Sequence, residues 1–153
     1  MNHIHLKDAT LEHLKIITDF QIKMCLETEN MKLDAQIVER GVKHILTNPH
    51  EGKYLLAIDQ TNNSVVACLL LLKEWSDWRA RYIWWIHSLY VVLSHRRLGI
   101  YKKMYAHLQE QVKADDQLGG IRLYVDKTNT KAKEAYRSLG MNPEHYELYE
   151  WLK

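Results

Sequence analysis

Residues 89–103 read LYVVLSHRRLGIYKK, which is an apolar strand, a basic turn, a glycine and the start of a helix. Four cations flank the glycine at position 99: Arg96, Arg97, Lys102 and Lys103. The first N–H groups of a helix have no intrahelical acceptor, and together with the helix dipole they favour a bound anion. Gly99 lets an anion approach the backbone closely. We therefore predict a phosphate or pyrophosphate site over residues 96–102, called the phosphate loop below; a solvated helix end is the alternative.

Two other phosphate-binding motifs do not fit this stretch. A Walker loop is excluded because the chain has no GxxxxGK[ST] sequence. A dinucleotide fingerprint of the Rossmann type is excluded because the loop contains a single glycine. Taken alone, the loop predicts a phosphate site without naming its ligand.

A second segment lies downstream, where residues 123–141 read LYVDKTNTKAKEAYRSLGM. It is a strand, a loop asparagine, a short helix and a glycine that ends the helix. Together the two segments resemble the GNAT superfamily of acetyl-CoA-dependent N-acetyltransferases. The first resembles the family's [Q/R]xxGx[G/A] loop after its fourth strand, and the second resembles its LxVxxxNxxAxxxYxxxG signature after its fifth. The resemblance is strong over residues 83–141 and continues elsewhere as the order of elements.

The resemblance implies one domain over residues 1–153, in the GNAT-like α/β fold. That fold has a central, mostly antiparallel sheet flanked by helices, with a splay between strands 4 and 5. Hydrophobic periodicity by itself predicts a mixed α/β chain with hairpins in the middle and helical crossovers later. The predicted elements are a strand at 4–7, helices at 11–26 and 37–46, strands at 54–59, 65–74 and 81–93, a helix from Gly99 to near Asp115, a strand at 121–125, a helix at 131–139 and a last strand at 146–152.

The resemblance also implies acetyl-CoA as cosubstrate. The backbone of Leu89, Tyr90 and Val91 is then expected to pair with the pantetheine arm and to receive the acetyl carbonyl at a bulge in the strand. The residues expected around the pyrophosphate are Arg96, Arg97, Leu98, Gly99, Ile100, Tyr101 and Lys102. Tyr101 departs from the family pattern, which has a small residue there. Its side chain is expected to point away from the pyrophosphate; the alternative is that the loop binds differently.

Two residues of the second segment take implied roles. Asn129 is expected to contact the pantetheine or the loop that holds it. Tyr136 falls where many family members keep a tyrosine that protonates the departing thiolate, a general-acid role that a phenol can fill. The alternative for Tyr136 is a helix tyrosine that packs under the sheet.

An acceptor amine attacks a thioester only when it is unprotonated, so the site needs a base or a water path. In this family the break between the first two helices and the hairpin before the fourth strand line the acceptor pocket. The residues that we expect there are Glu27, Glu29, Trp75, Asp77, Trp78, Trp85 and His87, with Glu74 as a further candidate base. His87 is expected on one strand face with Trp85, because side chains alternate along a strand. Each acid is alternatively a solvated loop charge.

Bulk composition is that of an ordinary globular domain. The chain has 153 residues, of which 46% are hydrophobic and 26% charged, with nine Tyr and five Trp against one Phe. A net charge of +2 is too balanced for a protein whose main partner is bulk nucleic acid. Cys25 and Cys68 lie in apolar stretches without metal-ligand spacing, which predicts buried, reduced thiols and no metal site. No signal peptide and no spanning apolar run is recognised, so a cytoplasmic location is expected.

The hypothesis from the sequence is an N-acetyltransferase that moves an acetyl group from acetyl-CoA to a primary amine of a small molecule or a protein by direct attack. Acids and aromatics together suit a cationic acceptor such as a polyamine, an amino sugar or a lysine side chain. The rival hypothesis is a GNAT-like module that binds CoA or a protein without catalysis. Neither a nucleic acid nor a membrane is expected as partner. The resemblance implies a homodimer, since many family members dimerise through terminal strands and residues 146–151 offer an aromatic one.

Overall fold

The computed structural model describes residues 3–153, which fall into two compact units. The first unit ends at Leu123, and the second runs from Tyr124 to Lys153. The expectation of one domain over the whole chain stays a prediction, and the two units are described separately below.

The first unit contains five strands and three α-helices. In chain order these are β1 (Ile4–Asp8), α1 (Leu14–Glu29), α2 (Ala35–Thr47), β2 (Gly52–Asp59), β3 (Ser64–Ser76), β4 (Arg81–Val91), α3 (Ile100–Ala114) and β5 (Leu118–Leu123). Single 3-10 turns precede α1, at 11–13, and follow β4, at 93–95. Because of this second turn, β4 ends two residues before the predicted limit at Leu93. The predicted order of elements is otherwise reproduced up to β5.

The five strands form one sheet in the order β1-β2-β3-β4-β5. Every neighbouring pair is antiparallel except β4 and β5, which are parallel. A parallel pair needs a crossover connection, and α3 supplies it here. The predicted fold class is therefore confirmed: a mostly antiparallel sheet with flanking helices and a parallel step between strands 4 and 5.

Both faces of the sheet are buried. On one face, residues of α1 and α2 pack with alternate residues of β2, β3 and β4 in a cluster of Ile17, Phe20, Val42, Tyr54, Leu56, Ile58, Cys68, Leu70 and Tyr90. Helix α3 packs against β2 and β5 and buries Ile100, Met104 and Leu108. Cys25 and Cys68 are buried and form no disulfide. Burial raises the pKa of the Cys68 thiol to about 12, so this thiol is protonated at neutral pH.

The second unit contains one helix, α4 (Thr130–Ser138). The predicted last strand at 146–152 is wrong: residues 141–153 contain no helix or strand. Its large side chains are exposed, with Tyr149 at 87% and Trp151 at 88%. A strand requires a neighbour that accepts and donates its backbone hydrogen bonds, and sequence alternation cannot show that one is in place.

Two further findings concern residues 3–153 as a whole. No helix in this range is long and apolar enough to cross a membrane. No group of three or more His, Cys, Asp or Glu side chains in this range is arranged to hold a metal ion.

Candidate functional site

A β-bulge in β4 changes which side chains face each side of the sheet. Leu71 of β3 pairs with Ile86, whereas its neighbour Leu70 pairs with Ser88, so His87 is the extra residue. Because consecutive residues of β3 face opposite sides, Ile86 and Ser88 face opposite sides too. The expectation that Trp85 and His87 share a face depended on strict alternation of side chains, and this alternation ends at the bulge. The resemblance had implied a bulge at residues 89–91, and the structure has it just before them.

The bulge also marks the point where β5 stops pairing with β4. The parallel pairing covers Tyr82–Ile86 of β4, opposite Leu118–Leu123. From His87 to Val91, β4 has β3 on one side and no strand of the first unit on the other. We call residues 87–91 the open edge. A strand edge without a neighbouring strand can bind an extended ligand that carries amides. On this edge the Val91 carbonyl already accepts from Arg96 Nε at 2.8 Å.

The phosphate loop carries two residues in the left-handed backbone region. Gly99 is the N-cap of α3 with φ 72° and ψ 16°, and Arg97 has φ 64°. Glycine adopts this conformation without strain, whereas arginine does so at a cost of roughly 1–2 kcal/mol. No side chain caps α3 at its N-cap position. The helix start therefore presents first-turn N–H groups that a bound anion can satisfy.

The four predicted cations of this segment fall into two pairs. Arg96 and Lys103 already bind protein groups: the Arg96 guanidinium binds the Glu27 carboxylate, and Lys103 Nζ donates to the Ile4 carbonyl. Arg97 and Lys102 are exposed, and no salt bridge to either is found within residues 3–153. The positive charge offered to a phosphate group thus comes mainly from Arg97 and Lys102.

Arg96 connects the phosphate loop to the end of α1. Its Nη2 lies 2.5 Å from Glu27 Oε2, and its Nε donates to the Val91 carbonyl at 2.8 Å. Tyr90 donates its hydroxyl to Glu27 Oε1 at 3.2 Å, and the Arg96 guanidinium lies 5.5 Å from the centre of the Tyr90 ring. The structure thus brings together Glu27, predicted for the acceptor side, and Arg96, predicted for the pyrophosphate. Burial and the adjacent Glu27 raise the pKa of Tyr90, so its phenol is protonated at neutral pH.

Tyr101 packs along α3. Its ring centre lies 6.0 Å from that of Tyr105, one helical turn further on. This contact places the bulky ring beside the body of the helix, and the role of Tyr101 in the loop stays a prediction. Leu98 and Ile100 flank Gly99 and, with His3 and Ile4, line a small cavity of about 140 Å³.

The residues predicted for the acceptor side do not form one cluster. Trp85 donates its indole N–H to Glu74, Arg122 Nη1 binds the same carboxylate at 3.2 Å, and the Arg122 guanidinium lies 5.8 Å from the Trp85 ring. This cluster lies in the region where β3, β4 and β5 are paired. His87 and Glu29 are exposed at the bulge and at the end of α1, respectively.

The hairpin that joins β3 to β4 lies at the opposite end of β4 from the bulge and carries Trp75, Asp77 and Trp78. Trp75 pairs with Tyr82 next to the β3–β4 turn, and their rings meet edge to face at 5.0 Å. Tyr82 is five residues before His87, which corresponds to roughly 17 Å along a strand. Asp77 accepts a hydrogen bond from the backbone of Trp78, which is 89% exposed. We call residues 75–82 the hairpin tip, and it is separate from the bulge.

In the second unit, Asn129 and Tyr136 lie at the two ends of α4. Asn129 caps the helix, since its side-chain oxygen accepts from the Ala132 N–H at 3.1 Å. Tyr136 is partly buried in the last turn, and burial raises its pKa. Both roles implied by the resemblance stay predictions.

Sequence reasoning did not identify three residues that organise this region: Asp59, His95 and Arg122. Asp59 ends β2, and its carboxylate accepts from the backbone and the hydroxyl of Thr61. The Asp-x-Thr spacing was a usable signal for a turn, because Asp side chains commonly bind the backbone two residues on. Nothing in the sequence linked Asp59 to His95, which lies far away along the chain.

Comparison with known proteins agrees with this geometry. The family described as "Acetyltransferase (GNAT) family" matches residues 16–141. No curated protein matches the chain. The crystal structure of a possible acetyltransferase from Clostridium difficile 630 is 35% identical, with a TM-score of 0.91 over 98% of this chain and 97% of that chain.

More distant solved structures share the fold alone. An aminoglycoside acetyltransferase from an uncultured soil metagenomic sample, in complex with sisomicin, is 19% identical with a TM-score of 0.74 over 99% of this chain and 98% of that chain. The aminoglycoside N-acetyltransferase AAC(6')-Iy, in complex with CoA, is 14% identical with a TM-score of 0.78 over 99% of this chain and 95% of that chain. From the bulged strand, the phosphate loop and the match over residues 16–141, we conclude that the chain belongs to the acetyltransferase (GNAT) family.

Proposed function

We propose that the protein is an N-acetyltransferase that transfers an acetyl group from acetyl-CoA to a primary amine by direct attack. The observation that carries the proposal is the continuity of the open edge of β4 with the phosphate loop. The open edge offers backbone amide and carbonyl groups, and the loop that follows offers helix N–H groups and two exposed cations. An extended molecule with amides at one end and a pyrophosphate at the other fits this order of groups.

The residues present fit CoA in their donor chemistry. Arg97 and Lys102 would bind the pyrophosphate, together with the N–H groups at the start of α3. The backbone of Leu89, Tyr90 and Val91 would pair with the pantetheine amides. The Val91 carbonyl, which already accepts from Arg96 Nε, would do so through its second lone pair. Acetyl-CoA supplies the acetyl group in activated form as a thioester. The extra backbone N–H at the His87 bulge is a suitable donor for an oxyanion, since a bulge residue is left out of the ladder.

Tyr136 is the proposed proton donor for the leaving thiolate. Its raised pKa keeps the phenol protonated at neutral pH, which a general acid requires, although it also makes the phenol a weaker acid. The role itself comes from the family pattern that Tyr136 matches in the sequence.

On the acceptor side, we propose His87 as the base and Trp85 with Glu74 as the wall of the amine site. His87 is exposed at the bulge, where the reacting carbon would lie. Glu27 is bonded to both Arg96 and Tyr90, so its negative charge is already balanced. The named activity of the aminoglycoside acetyltransferase relatives supports an amino sugar as one acceptor to test, beside a polyamine and a lysine side chain.

Calorimetric titration of the full chain with acetyl-CoA tests the proposal first. We expect saturable binding with a micromolar Kd, and no binding at millimolar ligand would overturn it. Thiol release is then measured with spermidine, an aminoglycoside and a lysine peptide. Turnover with one amine supports the enzyme, whereas tight binding without turnover on an extended panel supports the non-catalytic module.

Replacing Tyr136 tests the proton donor. Removing the hydroxyl in Tyr136→Phe should lower kcat by about 10²-fold or more, within the usual range for general acid catalysis, with little change in the Kd for acetyl-CoA. Tyr124→Phe, which removes a hydroxyl elsewhere in the second unit, is the matched control. An unchanged kcat in Tyr136→Phe would remove Tyr136 from the mechanism.

We also propose that the protein forms a homodimer. The exposed apolar side chains of residues 146–152 support this, because large exposed apolar groups commonly mark an interface. Light scattering coupled to size exclusion should give twice the mass of 18.2 kDa. A monomer at the highest soluble concentration would contradict the proposal.

A further inference from the structure

The carboxylate of Asp59 is buried at the end of β2. Its side chain is 8% exposed. Oδ1 accepts from Thr61 N at 2.9 Å and from Thr61 Oγ1 at 2.7 Å, and Oδ2 lies 3.1 Å from His95 Nε2. A buried carboxylate is costly unless hydrogen bonds satisfy it. The bond to His95 is therefore part of what allows Asp59 to be buried there.

His95 is bound through both of its ring nitrogens. It is the last residue of the 3-10 turn after β4, immediately before the phosphate loop, and its side chain is 18% exposed. An ionised carboxylate only accepts hydrogen bonds, so His95 Nε2 is the donor to Asp59. Nδ1 lies 2.9 Å from Ser94 Oγ, whose hydroxyl can donate to it or accept from it. The two contacts fix the position of the ring, which joins the start of the loop to the end of β2.

The loop that follows has a backbone that needs such support. Arg97 and Gly99 both have positive φ, and the non-glycine one is strained. A strained conformation persists only where its surroundings hold it. On the C-terminal side the loop is held by Ile100, which is 1% exposed in the core. On the N-terminal side two long-range bonds hold it, from His95 to Asp59 and from Arg96 to Glu27, and Arg96 Nε also donates to the nearby Val91 carbonyl.

These two N-terminal bonds differ in burial. Arg96 and Glu27 are 38% and 37% exposed, and surface ion pairs contribute little because water and salt screen them. His95 and Asp59 are more deeply buried, so the loss of either leaves an unsatisfied polar group. His3 also approaches Asp59 and adds a favourable charge interaction when it is protonated. The His95 bond is the one expected to fix the loop.

We propose that His95 is a positioning residue for CoA binding: by donating to Asp59 it holds the phosphate loop in its binding conformation before the ligand arrives. This inference rests on the proposed function. Removing the bond gives the free loop more conformations, and binding must then order them, which weakens affinity. The chemical step takes place elsewhere, so kcat at saturating acetyl-CoA is not affected.

Three variants and one control test the inference by calorimetric titration with acetyl-CoA. His95→Ala removes the donor, and we expect the Kd to rise about tenfold with kcat within about twofold. His95→Gln places an amide donor near the position of Nε2 and should restore most of the affinity. His95→Asn is too short to reach Asp59 and should resemble His95→Ala. The matched control is His44→Ala, which removes an exposed His–carboxylate contact, from His44 Nε2 to Glu51 Oε2 at 2.9 Å, and should leave the Kd unchanged.

Amide hydrogen exchange of the ligand-free protein provides a second readout. Residues 93–99 should exchange faster in His95→Ala than in wild type, while the exchange of β2 and β3 stays the same. If His95→Ala does not fold, the comparison is made between His95→Gln and His95→Asn, and equal affinities would overturn the inference. Failure of the wild-type chain to bind acetyl-CoA overturns the proposed function and this inference together. Wild-type binding with an unchanged Kd in folded His95→Ala overturns the inference alone.

Discussion

The two ends of β4 were both predicted to belong to the site, and they are built differently. At the C-terminal end, side chains from α1 and β2 hold the strand and its loop through the Glu27–Arg96 and Asp59–His95 bonds. At the N-terminal end, the hairpin tip carries Trp78, which is 89% exposed. Both ends contain a left-handed non-glycine residue, Arg97 with φ 64° and Ala80 with φ 46°. The difference lies in what surrounds it: the C-terminal end has the buried Asp59–His95 bond beside its loop, whereas the hairpin tip is exposed.

This difference shows which features identify a ligand site. Exposed aromatic residues are common on protein surfaces and indicate little when they occur singly. A left-handed non-glycine residue held by buried polar bonds costs stability, and such strain is concentrated at functional sites. The C-terminal end of β4 is therefore the better-supported part of the site, and the predictions below compare the two ends.

The largest effect is expected from replacing the glycine of the phosphate loop. In Gly99→Val a β-branched residue must adopt φ near 72° and also blocks the approach of the pyrophosphate. We expect the Kd for acetyl-CoA to rise by at least about 30-fold. The control is Gly41→Ala in α2, where an added Cβ meets nothing within 4 Å. That change should keep the Kd and raise stability by about 0.5–1 kcal/mol in thermal unfolding. Equal Kd values in the two variants would contradict the assigned loop.

A double charge removal should have the next largest effect. Arg97→Ala with Lys102→Ala removes both exposed cations of the loop, and we expect the Kd to rise about tenfold at low salt and the salt dependence of binding to decrease. The matched double variant is Arg79→Ala with Arg81→Ala at the hairpin tip, which changes net charge equally. If both doubles weaken binding alike, the effect is one of overall charge and not of the loop.

On the acceptor side, replacing Trp85 or Trp75 should have a smaller effect, on the KM for the amine, and the two variants should differ. For a small amine, we expect Trp85→Ala to raise KM by about threefold to tenfold, and Trp75→Ala by less, since Trp75 lies roughly 17 Å along the strand from the bulge. Steady-state kinetics with spermidine measures both. A larger effect of Trp75→Ala would place the acceptor at the hairpin tip and overturn this view of the two ends.

The smallest effect concerns acid stability at the C-terminal end of β4. Hydrogen bonds from the Thr61 hydroxyl, the Thr61 N–H and His95 lower the pKa of Asp59 from 3.8 to about 2. Because the folded-state pKa is the lower one, Asp59 stabilises the fold above pH 4, and this contribution is lost as the pH falls to about 2. Urea unfolding should show wild type and Asp59→Asn differing at pH 5 and converging near pH 2. A difference that is constant with pH would contradict the assignment, and Asp8→Asn serves as the exposed control.

Much of the fold was predictable because its signals are local. The hydrophobic periodicity of α1 and the β-branched run of β4 depend on residues close together in sequence, and both elements form as predicted. The strand predicted at 146–152 failed for the opposite reason, since a strand depends on a neighbour that its own sequence does not contain. The position of the bulge, at His87 and not at the residues 89–91 that the resemblance implied, was likewise out of reach, because register is a property of β3 and β4 together.

For the site, the sequence by itself determined the family and the candidate phosphate loop at residues 96–102, since both follow from residue types at fixed spacing. Only the tertiary structure decided which cations are available, because Arg96 is bonded to Glu27 and Lys103 to Ile4 through long-range contacts. It also decided that His95 and Asp59 meet, and that the hairpin tip and the bulge are separate. Spacing along the chain specifies local backbone chemistry, whereas the pairing of distant charges follows from packing and hydrogen bonding in the folded state.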